Sequence, residues 1–542
     1  MPLLQGRSLG NLISPVAASA APTTWDLTVV TSAPNEDYTV NIASGSGINI
    51  TVDWGDSTNN NYTTTGQKTK TYTNAGTYTI KISGSFSSGG SFRLGSNATT
   101  RNRLISTGVM CNFPGLSSFA SLFGNCAGLT SIPSGLFDHN PAAGSFSNTF
   151  ANCTGLTGSI PSGLFSLNTG NTTFFQTFTG CPGLTGSIPA GLFSTNAAVT
   201  TFASTFQNCG GLTGSIPSGL FSNNTLVTTF SATFQGCSGL TGSIPSNLFS
   251  ACTAVTTFAS TLEGCSGLTG SIPSGLFNNN TLVTNFSSVL YNCGGLTGSI
   301  PSGLFNNNTL VTTFYQIFRG CSALTGSIPS GLFNSNTAVT SFSETFHSCN
   351  NLTGAIPAGL FRLNTAVTTF TSTFSGCTGL TGSIPSGLFA TNTAVTTFTS
   401  TFSGCTGLTS IPSGLFATNT AVTTFENTFN VCTGLTGSIP AGLFRNNTAA
   451  TNFQGTFFIT SCAAVITADI FYNPGEQSTR FLNKTINFKD TFRFTPTGPQ
   501  GTAPDLWNCN YGTGGVSNSS ACFRNHSGTS LSNYASIPAA WR

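Results

Sequence analysis

The sequence predicts a mainly β protein: a long parallel solenoid carrying short helical turns, preceded by a small antiparallel β-sandwich. Three observations carry that prediction. Ten cysteines, from Cys153 through Cys181 and Cys209 to Cys405, follow one another at intervals of 28 residues, and a fixed period of about 20–50 residues is the mark of a stacked repeat. Every interval repeats a β-branched run such as Val199-Thr200-Thr201-Phe202, too short for a helix and suited to a strand. Ahead of the array, Trp25 to Phe92 alternates apolar and polar residues between Gly, Asn and Ser turns.

Composition narrows what such a body can be. Only 5% of the 542 residues are charged, against about 25% in an average globular protein. There are 47 phenylalanines, enough for a large aromatic core under a neutral, hydroxyl-rich exterior. The formal net charge of +3, with no Lys/Arg stripe to concentrate it, argues against nucleic acid as a partner. No run of about 18 apolar residues is present, so no membrane span is expected.

In chain order, residues 1–22 read as a leader or attachment tail. The apolar centre is too weak for a good secretory signal, and whether a leader is cleaved stays open. Residues 23–98 form the sandwich, with strands expected over 27–30, 38–42, 48–52 and 78–82. The stretch Val52-Asp53-Trp54-Gly55-Asp56, followed by Tyr72-Thr73-Asn74-Ala75-Gly76-Thr77-Tyr78, resembles the PKD-like family of immunoglobulin-type domains. That resemblance implies a spacer or adhesive module on extracellular or virion proteins. Asp53 and Asp56 have two readings, a cation site or carboxylates satisfying turn amides, and the second is preferred.

Residues 99–495 form the solenoid, with divergent copies at each end. Phe202, Phe206 and Cys209 fall at i, i+4 and i+7, which predicts a short helix. Gly186-Ser187-Ile188-Pro189 is a second extended piece, because residues before proline are pushed out of helical space. A turn of helix is expected through Gly191-Leu192-Phe193. Two intervals, Cys126 to Cys153 and Cys405 to Cys432, are 27 residues, where the phrase Leu-Thr-Gly-Ser-Ile-Pro loses its glycine before Ser131 and Ser410. The unit Phe234-Gln235-Gly236-Cys237-Ser238-Gly239-Leu240 with its Val-Thr strand resembles BspA-like leucine-rich-repeat solenoids of bacterial surface proteins. The resemblance runs over about residues 104–495 and implies a leucine-rich-repeat-like parallel solenoid. The Leu-x-x-Leu-x-Leu-x-x-Asn strand of plant-type repeats is missing, which argues against a plant receptor. Charge at Arg480, Lys484, Lys489, Asp490 and Arg493 suits a terminal copy with its outer face in water. Residues 496–542 form a C-terminal cap, aromatic at both ends, expected to fold back over the last coil.

Seventeen cysteines invite a disulfide scaffold, but most share one position of the repeat. Cys181, Cys209, Cys237, Cys265, Cys293, Cys321, Cys349, Cys377 and Cys405 should stack as a ladder of buried free thiols, packing as small hydrophobes. Single cysteines stacked in this way offer no metal-ligand pairs, so no metal and no cofactor is expected. Cys509 and Cys522 flank a Gly/Ser loop and are candidates for a disulfide. Cys111 and Cys252 have no evident place. The column Thr200, Thr228, Thr256 through Thr396 makes a hydroxyl ladder, read either as solvent-facing strand formers or as a surface for ordered water or a repetitive glycan.

Catalysis finds no pattern. His139, His347 and His526 are far apart, and no nucleophile elbow, phosphate loop or acid/base pair is evident. A non-enzyme is expected. One constellation emerges when the period serves as a ruler. Glu263, Tyr291, Arg319 and His347 are spaced by 28 and so share a position in four consecutive coils, with Tyr315 and the pair Gln316/Glu344 beside them. The aromatic and charged mixture suits sugar or peptide recognition, while drift on a solvated face would give the same residues. Two functions are compatible with this chain. One is a phage virion appendage, a fibre or head decoration on the virion surface, attached to other virion proteins through its N-terminal region and displaying the solenoid to a host-surface glycan or protein. The other is a secreted bacterial cell-surface adhesin of the BspA-like type. Homo-oligomerisation is compatible with either, though no coiled-coil heptads enforce it.

Overall fold

The computed structural model describes residues 20–95, 97–462, 465–472, 479–496 and 501–542. The tail expected over 1–22 lies almost wholly outside them. Alternating burial builds the first body. In β1 (Trp25–Thr31), Trp25, Leu27 and Val29 point inward while the residues between them stay half-exposed. It is followed by β2 (Glu36–Ser46), β3 (Asn49–Asp53), β4 (Asn59–Tyr62), β5 (Gly66–Tyr72), β6 (Gly76–Ser85) and β7 (Ser88–Leu94). These strands make two antiparallel sheets, β4-β3-β6-β1 and β5-β2-β7. Asp53 and Asp56 behave as turn residues: each accepts from a backbone amide two positions on, Gly55 N at 2.9 Å and Thr58 N at 3.1 Å.

The sandwich does not end at residue 98. After helix α1 (Ala98–Asn102), β8 (Leu104–Thr107) pairs antiparallel with β1, and β9 (Leu116–Ser118), in the first coil, pairs parallel with β7. One edge of each sheet is thereby extended by chain from the repeat side, which covers the β1 and β7 edges that would otherwise invite pairing between molecules. Trp25 lies 5.9 Å from the ring of Phe92 and 6.1 Å from that of Phe123, so the sandwich and the solenoid share one core.

The solenoid is leucine-rich-repeat-like and parallel, but its coils are built mainly of turns. The helix expected over Phe202–Cys209 is absent. Ser204 and Asn208 have φ of 55° and 59°, and Thr205 N→Phe202 O and Cys209 N→Phe206 O close two successive type II turns. The amides of Phe202, Ser204, Phe206 and Asn208 then donate to Thr229, Ser231, Thr233 and Gln235 of the next coil. A helix would have kept those donors within its own segment, so pairing between coils overrides the 3.6-residue pattern. The turn of helix expected at Gly191–Phe193 is likewise a β-turn, Leu192 N→Pro189 O at 3.1 Å. The expected Val-Thr strand shrinks to single parallel bridges, Thr173↔Thr201↔Thr229↔Thr257 and onward. Among the described residues the Gly-Ser-Ile-Pro piece pairs as a strand where β10 (Gly382–Ser383) meets β11 (Leu408–Ser410), with bridges at Gly158↔Leu184 and Gly354↔Leu380.

Each coil has three buried corners, and each corner repeats one device. Phe202 is followed at i+3 by Thr205, Phe206 by Cys209, and Phe221 by Asn224, all fully buried. In all three cases the i+3 side chain of the following coil reaches back to the phenylalanine carbonyl of the coil before. Thr233 Oγ1 bonds Phe202 O at 3.0 Å, Cys237 Sγ bonds Phe206 O at 2.9 Å, and Asn224 Nδ2 bonds Phe193 O at 3.4 Å and Asn196 O at 2.9 Å. The rings stack above these bonds, at 5.7 Å for Phe174–Phe202 and Phe178–Phe206 and 6.1 Å for Phe193–Phe221. Three hydrogen-bond ladders therefore run through the aromatic core, and the thiol ladder expected from the sequence is one of them. Cys252 now has a place: it stands where other coils carry Asn, its Sγ 3.4 Å from Asn224 O. An exchange of Asn and Cys at one position is characteristic of leucine-rich repeats.

At the far end β12 (Ile459–Cys462) pairs parallel with β14 (Phe494–Pro496), and β13 (Thr485–Asn487) with β15 (Gly515–Asn518). Arg480, expected on a wet outer face, is only 7% exposed. It replaces the ladder asparagine, giving Nη2 to Phe444 O at 3.2 Å and Asn447 O at 3.0 Å and Nε to Phe471 O at 2.9 Å. Burial lowers its pKa to about 10, so it remains charged at neutral pH. Cys522 follows Thr491 in the threonine ladder, and His526 takes the thiol position, Nε2 to Phe492 O at 2.9 Å. The bridge considered between Cys509 and Cys522 is not formed; both are free thiols. Cys509 Sγ lies 3.4 Å from Asp505 O. The tail folds back as expected, Phe523 N→Trp541 O at 2.8 Å and Trp541 5.7 Å from Phe488.

Two outcomes follow from the ladders. Asn308→Ala deletes both Nδ2 bonds of one rung, to Phe277 O and Asn280 O, and strands two buried carbonyls; a loss of about 1–3 kcal/mol is expected, read as a lower thermal midpoint. The thiols should resist maleimide until denaturant is added. Burial pushes Cys181, Cys321 and Cys377 up to about 12, whereas unfolded thiols ionise above about 8.5. Folded-state stability is therefore intact below that value and falls as pH rises toward 12; a thermal midpoint unchanged between pH 8 and pH 10.5 would contradict the ladder.

Candidate functional site

The two type II turns of each coil fix what the solenoid shows on one side. Between the buried Phe, Thr and Cys each coil has four further positions, Ala203, Ser204, Gln207 and Asn208 and their equivalents, of which two build the site: Ser204, held at positive φ, and Gln207. Because coils repeat every 28 residues, these positions form two columns. Along the first run Ser260, Ser288, Gln316, Glu344 and Ser372; along the second, Gln235, Glu263, Tyr291, Arg319, His347 and Ser375. Sites that are mostly Ser, Thr, Gln, Asn or Ala elsewhere include charged or aromatic residues over four coils.

The structure brings most of the expected patch together. Arg319 pairs with Glu344 and lies over the Tyr291 ring, its Cζ 5.1 Å from the centroid. Gln316 Nε2 donates to the same carboxylate oxygen at 3.0 Å, and Gln316 Oε1 accepts from Ser288 Oγ at 3.1 Å. His347 Nδ1 is 3.6 Å from Glu344 Oε2, beyond hydrogen-bonding distance. Burial and the Arg319 charge hold the imidazole pKa below its ordinary value, with Glu344 acting in the opposite sense. Glu263 occupies the same column but makes no side-chain bond to the cluster. Tyr315, in the neighbouring column, is 38% exposed and stands apart from the ion pair. Ser288 is a partner the sequence reading passed over, although its spacing of 28 to Gln316 carried the signal.

The coils below are also the ones whose core departs from the pattern. Leu262 and Leu290 replace the second corner's Phe, and Val289 and Ile317 replace the ladder threonine. Phe286 O consequently lacks both hydroxyl donors that Phe202 O receives, retaining Val289 N at 3.4 Å. Chemically the cluster is a half-buried ion pair under an aromatic face. The Arg319–Glu344 pair neutralises its own charge through Nη1, so the remaining guanidinium donors of the partly exposed Arg319 stand beside Tyr315, the outer face of Tyr291 and His347 for contacts. At this degree of exposure the pair itself contributes about 0–1 kcal/mol to stability.

The threonine column is outward and exposed, but its hydroxyl protons are engaged. Thr228 Oγ1 donates to Thr200 O at 3.2 Å, Thr312 to Thr284 O at 3.1 Å, and the neighbours do likewise. Its solvent face is therefore methyl groups and lone pairs. Among the described residues no group of three or more His, Cys, Asp or Glu is placed to hold a metal, and no helix is long and apolar enough to cross a membrane.

No family model matches the chain, and no curated protein matches it in sequence. Among solved structures, a similar one is the leucine-rich-repeat ectodomain of the Arabidopsis receptor kinase HAESA, in complex with an N-terminally extended IDA peptide hormone. The identity is 18%, over 77% of this chain and 71% of that one, at a TM-score of 0.34.

The histidine provides a local test. With three histidines in the chain, the ring signals can be followed individually by NMR. His347 is expected to titrate below about 6.5, to move up in Arg319→Ala and further down in Glu344→Gln. A midpoint at or above the ordinary value, unmoved by either change, would mean that the three side chains do not form this cluster.

Proposed function

We propose that this chain is a non-enzymatic binding protein whose solenoid serves as a rigid platform, with the cluster around Tyr291, Tyr315, Arg319 and His347 as its lateral contact surface. One observation carries the reading. On an exterior almost without charge, an aromatic face, a guanidinium and an imidazole are assembled across consecutive coils. Drift would scatter such residues; here Ser288, Gln316, Glu344 and Arg319 are joined by bonds that reach from coil to coil. Aromatic and arginine side chains fixed in place are the ones that dominate recognition surfaces, and a tyrosine face suits a sugar ring or a peptide side chain.

The setting we propose is a virion appendage, a fibre or head decoration that attaches through the N-terminal region and presents the solenoid to a host-surface glycan or protein. A PKD-like sandwich as spacer and an exterior of Ser, Thr and Asn support it. A secreted cell-surface adhesin of the BspA-like type uses the same platform and is the second reading. Copurification with particles or with cell envelopes separates them. For the platform, Tyr291→Ala, Tyr315→Ala and Arg319→Ala should each reduce attachment to the target cells by about tenfold, the cost of losing one recognition anchor, with the thermal midpoint little changed. Attachment at the original level in the combined variant would eliminate the cluster as the contact surface.

A further inference from the structure

A second site lies at the junction of sandwich and solenoid, about as far from the lateral cluster in sequence as the array allows. There β7 and α1 meet the turns of the first two coils around a pocket of about 200 Å³. Its polar wall is Arg93, Arg101, Asn125, Asn148 and Asn152, with Leu94 among its few apolar contacts. No carboxylate lines it, and neither arginine forms an ion pair among the described residues. Arg101 Nε donates to Gly95 O at 3.3 Å, leaving its two terminal nitrogens for another acceptor. Arg93 stands exposed on β7, and Asn148 holds its side chain out from a left-handed residue, φ 57°. Asn152 Nδ2 reaches Asn125 Oδ1 at 3.1 Å, which fixes those two amides beside each other and turns the Asn125 Nδ2 outward.

The neighbouring cleft shows what an arginine without spare donors looks like. It is larger, about 520 Å³, yet its Arg103 is already paired with Glu36 at 2.9 Å and bonded to Asp37 O. In the smaller pocket nothing neutralises the two guanidiniums. In a chain with 5% charged residues, two unopposed cations converging on one cavity are a marked local excess.

We propose that this pocket binds the oxyanion of an acidic sugar residue, a carboxylate or a sulfate. Two guanidinium forks match a planar or tetrahedral oxyanion. Three asparagine amides, each able to donate and accept, suit the ring hydroxyls that flank it. The volume is below the range of about 300–1,000 Å³ typical of drug-sized ligands and suits a single sugar ring. The walls carry no aromatic face on which a nucleobase would stack. This site stands independently of the lateral cluster and widens the platform to two separate contacts.

Titration of the full chain with glucuronate, N-acetylneuraminate, glucose 6-sulfate and glucose, by calorimetry or ligand-observed NMR, tests it. Binding is expected for at least one of the acidic sugars and not for glucose, weakening as salt is raised. Arg93→Ala and Arg101→Gln should each reduce affinity about tenfold or more, the loss of a charge-assisted pair of bonds. Arg93→Lys should restore part of it. The preferred acid distinguishes carboxylate from sulfate. Equal signals from glucose and the acids, a response to inorganic sulfate but to no sugar, or full affinity in a folded Arg93→Ala would each overturn the proposal.

Discussion

What the architecture depends on is the pairing of inward-facing backbone carbonyls between coils that have almost no strand. In a solenoid with long strands, the ladder of amides and carbonyls satisfies itself. Here each coil contributes little more than one bridging residue, and the rest of the backbone turns. Buried carbonyls at Phe202, Phe206 and Phe221 would be left short of donors, each at a cost of about 1–3 kcal/mol. The chain answers with a short polar side chain three residues after each phenylalanine. Threonine, cysteine and asparagine differ in reach, and each is placed where its corner needs that reach. The asparagine spans to two carbonyls, the hydroxyl is shared between its own turn and the one before, and the thiol serves one carbonyl as a weak donor while packing as a hydrophobe.

This constraint explains why the period is so strict and where it is allowed to break. A rung works only if one corner stacks directly on the corner before it, so that the side chain three residues after a phenylalanine reaches the preceding coil's phenylalanine carbonyl, at i+31 where the period is 28 and i+30 where it is 27. The glycine lost before Ser131 and Ser410 falls in the Leu-Thr-Ser-Ile-Pro segment, away from all three corners. Substitutions obey the same logic. Cys252 for Asn keeps a donor on the neighbouring carbonyl, His526 for Cys keeps one on Phe492 O, and Arg480 for Asn supplies a longer fork where the last coils spread. Val289 and Ile317 supply none, and they sit under the lateral cluster, whose bonds between Ser288, Gln316, Glu344 and Arg319 tie the same coils together from outside. A surface network thus lies over the stretch where the internal ladder is thinnest.

How much of this could be read beforehand depends on which interactions set a local pattern. The period, the inward thiols and the sandwich were legible, because burial alone imposes them. Phe202, Phe206 and Cys209 misled as a helix because positions i, i+4 and i+7 also describe two consecutive type II turns; the discriminating residues are Ser204 and Asn208, where most coils carry the Ser, Asn or Gly that takes positive φ at low cost and only Val431 is β-branched. The asparagine ladder was in plain view at 28-residue spacing but hidden in a polar stretch, where Asn reads as loop. Arg480 misled for the same reason: a charge near a terminus reads as solvent-facing until its three carbonyl partners are seen. The lateral cluster was legible because the period aligned its members, whereas the pocket at Arg93 and Arg101 was not. Its walls come from a strand, a short helix and two coils, and no repeat brings them into register.

The scarcity of charge then acquires a functional meaning. A surface of Ser, Thr and Asn is well hydrated and carries little field beyond about a Debye length, so it neither attracts nor repels most partners. On such a surface a single unpaired arginine dominates its neighbourhood, because nothing nearby competes for the incoming anion. A highly charged protein would need many residues to create the same contrast. The solenoid therefore gains selectivity from what its exterior lacks: coils with nearly identical faces provide length and rigidity, and the few positions that depart from the repeat carry the information a partner can read.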